Sequence, residues 1–147
     1  MIERQIGQGG MAVVFEARHR SLGKRVALKM LLPHFAAGSE MAVRFAREGE
    51  AAARIDHPHA VTVTDVGSDA SGTPFLVMEL LEGEDLASLL ERRGRLTVTE
   101  TADILVPVVS AIAAAHDLGI VHRDLKPQNI FLARRRHELV PKVVDFG

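Results

Sequence analysis

The sequence predicts an α+β chain in two parts: a first half of short antiparallel strands with one helix, and a second half of helices closing on a polar loop. Three observations carry that reading. Glycines at 7, 9 and 10 precede the run Val13-Val14-Phe15, whose β-branched and aromatic residues favour strand over helix. Two stretches, 39–55 and 97–118, repeat apolar residues at three- and four-residue steps, the period of a helix with one buried face. Finally, Ile120-Val121-His122-Arg123-Asp124-Leu125-Lys126-Pro127-Gln128-Asn129-Ile130-Phe131-Leu132 sets charged and amide side chains between two apolar runs, as an ordered loop between strand-like segments does.

Composition bounds the rest. With 147 residues, 47% of them hydrophobic, and a net charge of -1, the chain is sized for one soluble globular unit and lacks the basic excess that nucleic acid selects. Cysteine is absent, which excludes disulfide frameworks and thiolate metal sites and fits a reducing, cytoplasmic setting. Met1-Ile2-Glu3-Arg4-Gln5 has no apolar signal region. The most apolar stretch, Ile104 to Ala115, is broken by Ser110 and is shorter than the roughly 18 residues of a membrane span, so it reads as a buried helix.

In chain order, residues 6–17 read as strand, turn and strand, with glycines that let backbone N–H groups approach phosphate oxygens closely. The spacing Gly7-x-Gly9-x-x-Ala12 also fits a dinucleotide-binding fingerprint, but that needs a helix opening at the glycines and an acid about 20 positions on; the sequence has Val26-Ala27-Leu28-Lys29 instead. Leu22-Gly23-Lys24 is a turn, and Arg25 to Leu31 alternates so that Ala27 and Lys29 share one face. After a connector over 33–38, Ser39 is placed to cap a helix running to about Ile55. Met41, Phe45, Ala52 and Ile55 form its inward stripe, with Glu48 beside them, as a surface partner of Arg44 or Arg47 or in a functional role. Gly49 weakens this helix by about 1 kcal/mol relative to Ala, as suits an element that moves.

Asp56-His57-Pro58-His59 ends the helix, and its histidines lack the spacing partners of a metal site. A half-buried strand over 61–66, a turn over 67–72 and a buried strand over 74–83 follow. Asp85 to Arg93 is a short helix stopped by Gly94. Thr97-Val98-Thr99-Glu100 is a capping box opening a helix to about Leu118, with Gly119 at its end and Ile104, Val108, Ile112 and Ala115 on its inward face. Pro107 inside that helix predicts a kink near Leu105. Residues 133–138 read as an exposed hairpin tip, less readily as a basic docking patch, and Lys142-Val143-Val144 as a strand leading into Asp145-Phe146-Gly147.

The pattern His122-Arg123-Asp124-x-Lys126-Pro127-x-Asn129 resembles the catalytic loop of protein kinases. The glycine hairpin, with Ala12 in place of the third glycine, resembles their glycine-rich loop in the Gly-Gly-Met-Ala form of bacterial relatives. Asp145-Phe146-Gly147, sixteen residues beyond Asn129, resembles their metal-binding turn. The resemblance implies a protein-kinase-like fold, with the small lobe at 1–82 and the start of the large lobe at 83–147, and a fragment of a longer protein, since only the first part of the family's domain is covered.

It further implies ATP and Mg²⁺ as cofactors and a protein Ser/Thr hydroxyl as acceptor, Lys126 two positions after Asp124 favouring the Ser/Thr pattern. Ile6, Gly7, Gly9, Gly10, Val14 and Ala27 would cover the nucleotide, Lys29 would reach its phosphates, and Glu48, with Glu50 as the competing assignment, would pair with Lys29. Met78 would guard the back of the pocket. The Glu79 and Leu81 backbones would meet the adenine edge, Asp85 the ribose and Phe131 the underside of the base. Asp124 would orient the acceptor, Lys126 offset charge, and Asn129 and Asp145 hold the metal, while Arg123 would engage a phosphorylated activation loop. A small-molecule phosphotransferase shares the Asp-x-x-x-x-Asn spacing but does not usually carry Lys126-Pro127. A non-catalytic nucleotide-binding scaffold is the other alternative, although no catalytic residue is missing.

Overall fold

The computed structural model describes residues 1–35, 38–136 and 138–146. The chain divides into two units, one built from Met1–Ala53 and Thr62–Leu80, the other from Arg54–Val61 and the chain from Leu81 onward.

The first unit is an antiparallel sheet of β1 (Ile2–Gln8), β2 (Ala12–Arg18), β3 (Arg25–Leu31), β4 (Val63–Ser68) and β5 (Pro74–Glu79), ordered β1-β2-β3-β5-β4, with helix α1 (Glu40–Ala52) against it. A strand, not a helix, follows the glycines, which removes the dinucleotide-fingerprint alternative. Glu16 on β2 is buried between Arg4 and Arg25, at 2.7 and 2.6 Å, a charge triad tying β1, β2 and β3. The Arg25 guanidinium holds its carboxyl below the usual range against the opposing effect of burial.

Ser39 caps α1 by accepting from the Ala42 N–H at 3.2 Å, as its position predicts. The helix buries Ala42, Phe45, Gly49 and Ala52, and a core of Ala12, Leu31, Ala42, Phe45 and Leu76 forms beneath it. Gly49 is therefore a packing residue: a Cβ there would lie 2.1 Å from Leu76 Cδ2, so its absence lets α1 close onto β5. The helix ends at Ala52, three residues short of Ile55, which is buried but belongs to the second unit. β4 also begins later than the pattern suggests and takes in Gly67, where a Cβ would press on the Phe75 ring.

The second unit holds a three-stranded antiparallel sheet of β6 (Gly83–Asp85), β7 (Ile130–Arg135) and β8 (Glu138–Val143), with α2 (Leu86–Arg93) and α3 (Val98–Asp117). The Thr97–Glu100 capping box forms as predicted. At the other end the Gly119 N–H bonds His116 O and the Ile120 N–H bonds Ala115 O, at 2.8 and 2.9 Å, closing the helix through a left-handed glycine. That closure uses up Ile120, so the expected strand at 120–121 does not form. Pro107 is accommodated within one continuous helix, and Ala111 takes the fully buried position expected of Ile112. α3 has the length and composition of a membrane-crossing helix, longer than the apolar stretch alone suggests, yet its Ile104, Val108, Ala111 and Ala115 are buried and the helix packs on β8. The β7–β8 strands reach Arg135 and Glu138, leaving a tighter tip than 133–138; His137 lies outside the described residues.

Segment 54–61 is fastened to β8 and α3. The Val61 N–H bonds Val143 O and the Val143 N–H bonds His59 O, at 2.9 and 2.8 Å, and buried Lys142 donates to Ala60 O at 3.1 Å. His59 Nδ1–H donates to Pro141 O at 2.8 Å. His57 accepts from the His59 N–H at Nδ1 and meets Ser110 Oγ with Nε2, and burial pushes its imidazole below the ordinary range. Both histidines are thus anchors in a turn, as their spacing suggests.

Candidate active site

In the first unit, Lys29 pairs in register with Val14 on β2 and Leu76 on β5, and Ala27, two residues back, with Glu16 and Met78. This face of β3 brings Val14, Ala27, Lys29 and Met78 together, with Ala27 buried and Lys29 Nζ 6.0 Å from the Phe45 ring centroid. The glycine turn is closed by Gly9 N–H donating to Ala12 O at 2.8 Å, and a Cβ at Gly10 would meet nothing within 4 Å. Its backbone is open on that side. Ile6 and Gly7 lie on β1, Gly7 in register with Val14. Glu48 sits one turn beyond Arg44, whose Nε lies 2.6 Å from Glu48 Oε1, while Glu50 faces solvent. Glu79 is tied to Thr62 twice, its N–H donating to Thr62 O and its carboxylate accepting the Thr62 N–H.

The second unit assembles the loop. Asp124 Oδ2 lies 2.7 Å from Lys126 Nζ and 3.4 Å from Asn129 Nδ2, and Asn129 Nδ2 also donates to Asp124 O at 2.9 Å. The Lys126 ammonium holds the exposed Asp124 carboxyl below its usual range. Pro127 opens a single 3-10 turn, Pro127–Asn129, that carries the buried Asn129 back toward Asp124. Three of the expected residues therefore converge, as the spacing implies.

The backbone then ties this loop to the end of β8. Val144 N–H donates to Asn129 O at 3.0 Å, and the buried His122 donates through Nε2 to Val144 O at 2.9 Å, with the Phe146 ring 5.0 Å from the imidazole. Both polar groups of Val144 are used on the loop, and Asp145 is the next residue. His122 is a supporting residue whose Nδ1 is buried without a partner among the described residues. Arg123 and Asp145 both adopt left-handed backbone, φ 62° and 58°, a conformation costing roughly 1–3 kcal/mol that persists where surrounding bonds fix it. Nothing in the residue types announces either strain or the double use of Val144; only the backbone reveals them. Gly147 lies outside the described residues.

The donor set suits a hard cation. Asn129 spends its NH₂ on Asp124, which leaves its Oδ1 as an acceptor, and Asp145 adds a carboxylate. Oxygen ligands of this kind match Mg²⁺, which keeps several waters or phosphate oxygens and needs few protein ligands. No group of three or more His, Cys, Asp or Glu that could hold a metal ion occurs among the described residues. Elsewhere in this unit, Phe131 is half-buried on β7, in register with Asp85, whose carboxylate caps α2. Leu81 lies where the chain enters the unit.

The model of the protein kinase domain matches residues 1–147. The chain belongs to the protein kinase family. Among its relatives, the serine/threonine-protein kinase pkn3 of Myxococcus xanthus is 42% identical over 147 residues, covering 99% of this chain and 27% of that protein. A probable serine/threonine-protein kinase PknB of Corynebacterium glutamicum is 39% identical, covering 99% of this chain and 23% of its own length. The crystal structure of the Mycobacterium tuberculosis PknI kinase domain superposes with a TM-score of 0.84 at 33% identity, covering 99% of this chain and 58% of that one. This kinase-family chain thus spans about a quarter of those curated relatives and a little over half of the solved domain. The expected kinase fold is the fold observed, in the N-terminal portion of the domain.

Proposed function

We propose that the chain is the nucleotide-binding and catalytic-loop part of an ATP- and Mg²⁺-dependent protein serine/threonine kinase acting in the cytoplasm. The observation that carries this reading is the convergence of Asp124, Lys126 and Asn129, hydrogen-bonded to Val144, the residue before Asp145. Asp124, kept ionised by Lys126, accepts a hydrogen bond from a Ser or Thr hydroxyl and orients its oxygen for in-line attack. Lys126 offsets charge gathering on the transferred group. Asn129 and Asp145 would hold Mg²⁺, which would neutralise phosphate charge when bound. In the first unit the open glycine turn and Lys29 hold the triphosphate, and Glu48 steadies Lys29 after exchanging its present partner Arg44. The 147-residue chain alone binds nucleotide weakly and does not turn over, because it spans only a little over half of the solved kinase domain it resembles.

The test is transfer of radiolabel from γ-labelled ATP by the intact kinase domain that contains this chain. Label recovered as phosphoserine and phosphothreonine in a protein such as casein supports the reading. Label on an aminoglycoside-like alcohol in place of protein supports a small-molecule phosphotransferase, and no transfer with intact nucleotide binding supports a scaffold.

A further inference from the structure

The turn between β2 and β3 gathers cations around a hydroxyl that the fold leaves uncommitted. Arg18, His19, Arg20, Lys24 and Arg25 flank Ser21, and every residue from 18 to 25 is exposed. Backbone bonds hold the turn: the His19 N–H donates to Lys24 O at 2.8 Å and the Gly23 N–H to His19 O at 2.9 Å, with Gly23 in left-handed backbone. The Leu22 N–H donates to His19 Nδ1 at 3.2 Å, and the Arg18 guanidinium donates to Gly23 O at 3.1 Å. Arg18 and Arg25 are further engaged by carboxylates, Glu3 at 2.9 Å and Glu16 at 2.6 Å. The side chains of Arg20, Lys24 and Ser21 make no hydrogen bond or ion pair among the described residues.

Other hydroxyls are committed. Ser39 caps α1, Ser71 bonds Asp69, Ser88 bonds Asp85, Thr97 bonds Glu100 and Ser110 meets His57. Three more make no such bond but have an acid beside them: the Thr62 N–H donates to the Glu79 carboxylate, Ser68 precedes Asp69 and Thr99 precedes Glu100. A phosphate at any of these would meet a like charge, whereas at Ser21 it meets two uncommitted cations.

We propose that Ser21 is a phosphorylation site, its phosphoryl group donated by ATP held in a second copy of the intact kinase. The inference rests on the kinase reading above. In the step, Ser21 Oγ forms a bond to the γ-phosphorus as the bond from that phosphorus to the β,γ-bridging oxygen breaks. ADP leaves, and the hydroxyl proton goes to the Asp124 carboxylate of the copy acting as enzyme. The product carries a charge of about −1.5 to −2 and three acceptor oxygens, which Arg20 and Lys24 meet with charge-assisted hydrogen bonds. Both cations also lie beside the group as it arrives, so they favour the transfer as well as its product.

The test uses the intact kinase domain as enzyme and, as acceptor, an isotopically labelled copy inactivated by Lys29→Met with Asp124→Asn and shown folded by its thermal melt. After incubation with Mg²⁺ and ATP, the labelled peptide containing residue 21 is read by mass spectrometry. The expected result is phosphate on Ser21, lost when the acceptor also carries Ser21→Ala. An acceptor with Arg20→Ala and Lys24→Ala is modified at Ser21 about 5-fold more slowly at low salt, the worth of two exposed ion pairs, while the enzyme phosphorylates casein at an unchanged rate. No phosphate at Ser21 while casein or other acceptor residues are modified would overturn the inference and leave the kinase reading intact, as would an unchanged rate for the Arg20→Ala, Lys24→Ala acceptor. No phosphate on acceptor or casein would overturn the kinase reading, and this inference with it.

Discussion

The two units hold their candidate residues by different means. In the second, Asp124, Lys126 and Asn129 bond one another, and two backbone hydrogen bonds fix Val144, and so the start of the Asp145 turn, to the same loop. In the first, Lys29 is positioned by sheet register, but the acid expected to steady it is held by an exposed Arg44 one helical turn away. Backbone bonds in a buried setting are costly to break, whereas an exposed i,i+4 pair contributes only about 0.2–0.5 kcal/mol. The loop is preassembled; the Arg44–Glu48 pair is exchangeable.

That contrast can be sharpened by substitution. The largest effect is expected at Lys29, where replacement by Met removes the cation proposed to hold the phosphates: turnover by the intact domain should fall by at least about 100-fold, read by radiolabel transfer. At Gly83 the backbone itself is challenged, because Ala brings a Cβ against Leu132 O at a φ that disfavours side chains. Gly83→Ala should lose about 3 kcal/mol in urea unfolding, and an unchanged midpoint would contradict the close approach of β6 and β7.

Next is the cap of α3. Thr97→Ala should cost about 1 kcal/mol. Glu100 in that box is held to about 2 by Arg93 and by Thr97, against an ordinary value of 4.5. Since the folded value is the lower one, this carboxylate stabilises the fold above about 4.5 and ceases to do so as pH falls toward 2. The difference in melting temperature between the natural chain and Glu100→Gln should therefore shrink over that window. The smallest effect is expected at Arg44. Its replacement by Ala frees Glu48 and should raise kcat/KM of the intact domain by no more than about 2-fold, whereas a fall would mean that Arg44 supports the active arrangement.

Much of the site was legible because the chemistry fixes residue types at fixed spacing. Asp124, Lys126 and Asn129 lie within six residues, and a proline both opens their turn and bars a helix, so the sequence nearly determines their convergence. The capping box and the cap at Ser39 were equally plain, since each uses a side chain suited to little else at that place. Other features lay in geometry that residue types do not encode. Gly49 looked like a weak point for motion and is a packing contact with Leu76, visible only once β5 lies beneath α1. Ile55 continued the helical stripe by period, yet the chain had already left the helix, and Ile55 is buried in the second unit. The left-handed backbones of Arg123 and Asp145 sit beside hydrogen bonds of their neighbours that the residue types do not announce.

The most direct trial of this account is Asp124→Asn in the intact domain, with phosphoryl transfer and ATP affinity measured on the same preparation. If Asp124 orients the acceptor hydroxyl, kcat drops by about 100-fold or more while the Kd for ATP·Mg²⁺ stays within about 2-fold. A variant that still phosphorylates protein at a rate close to the natural one would contradict it.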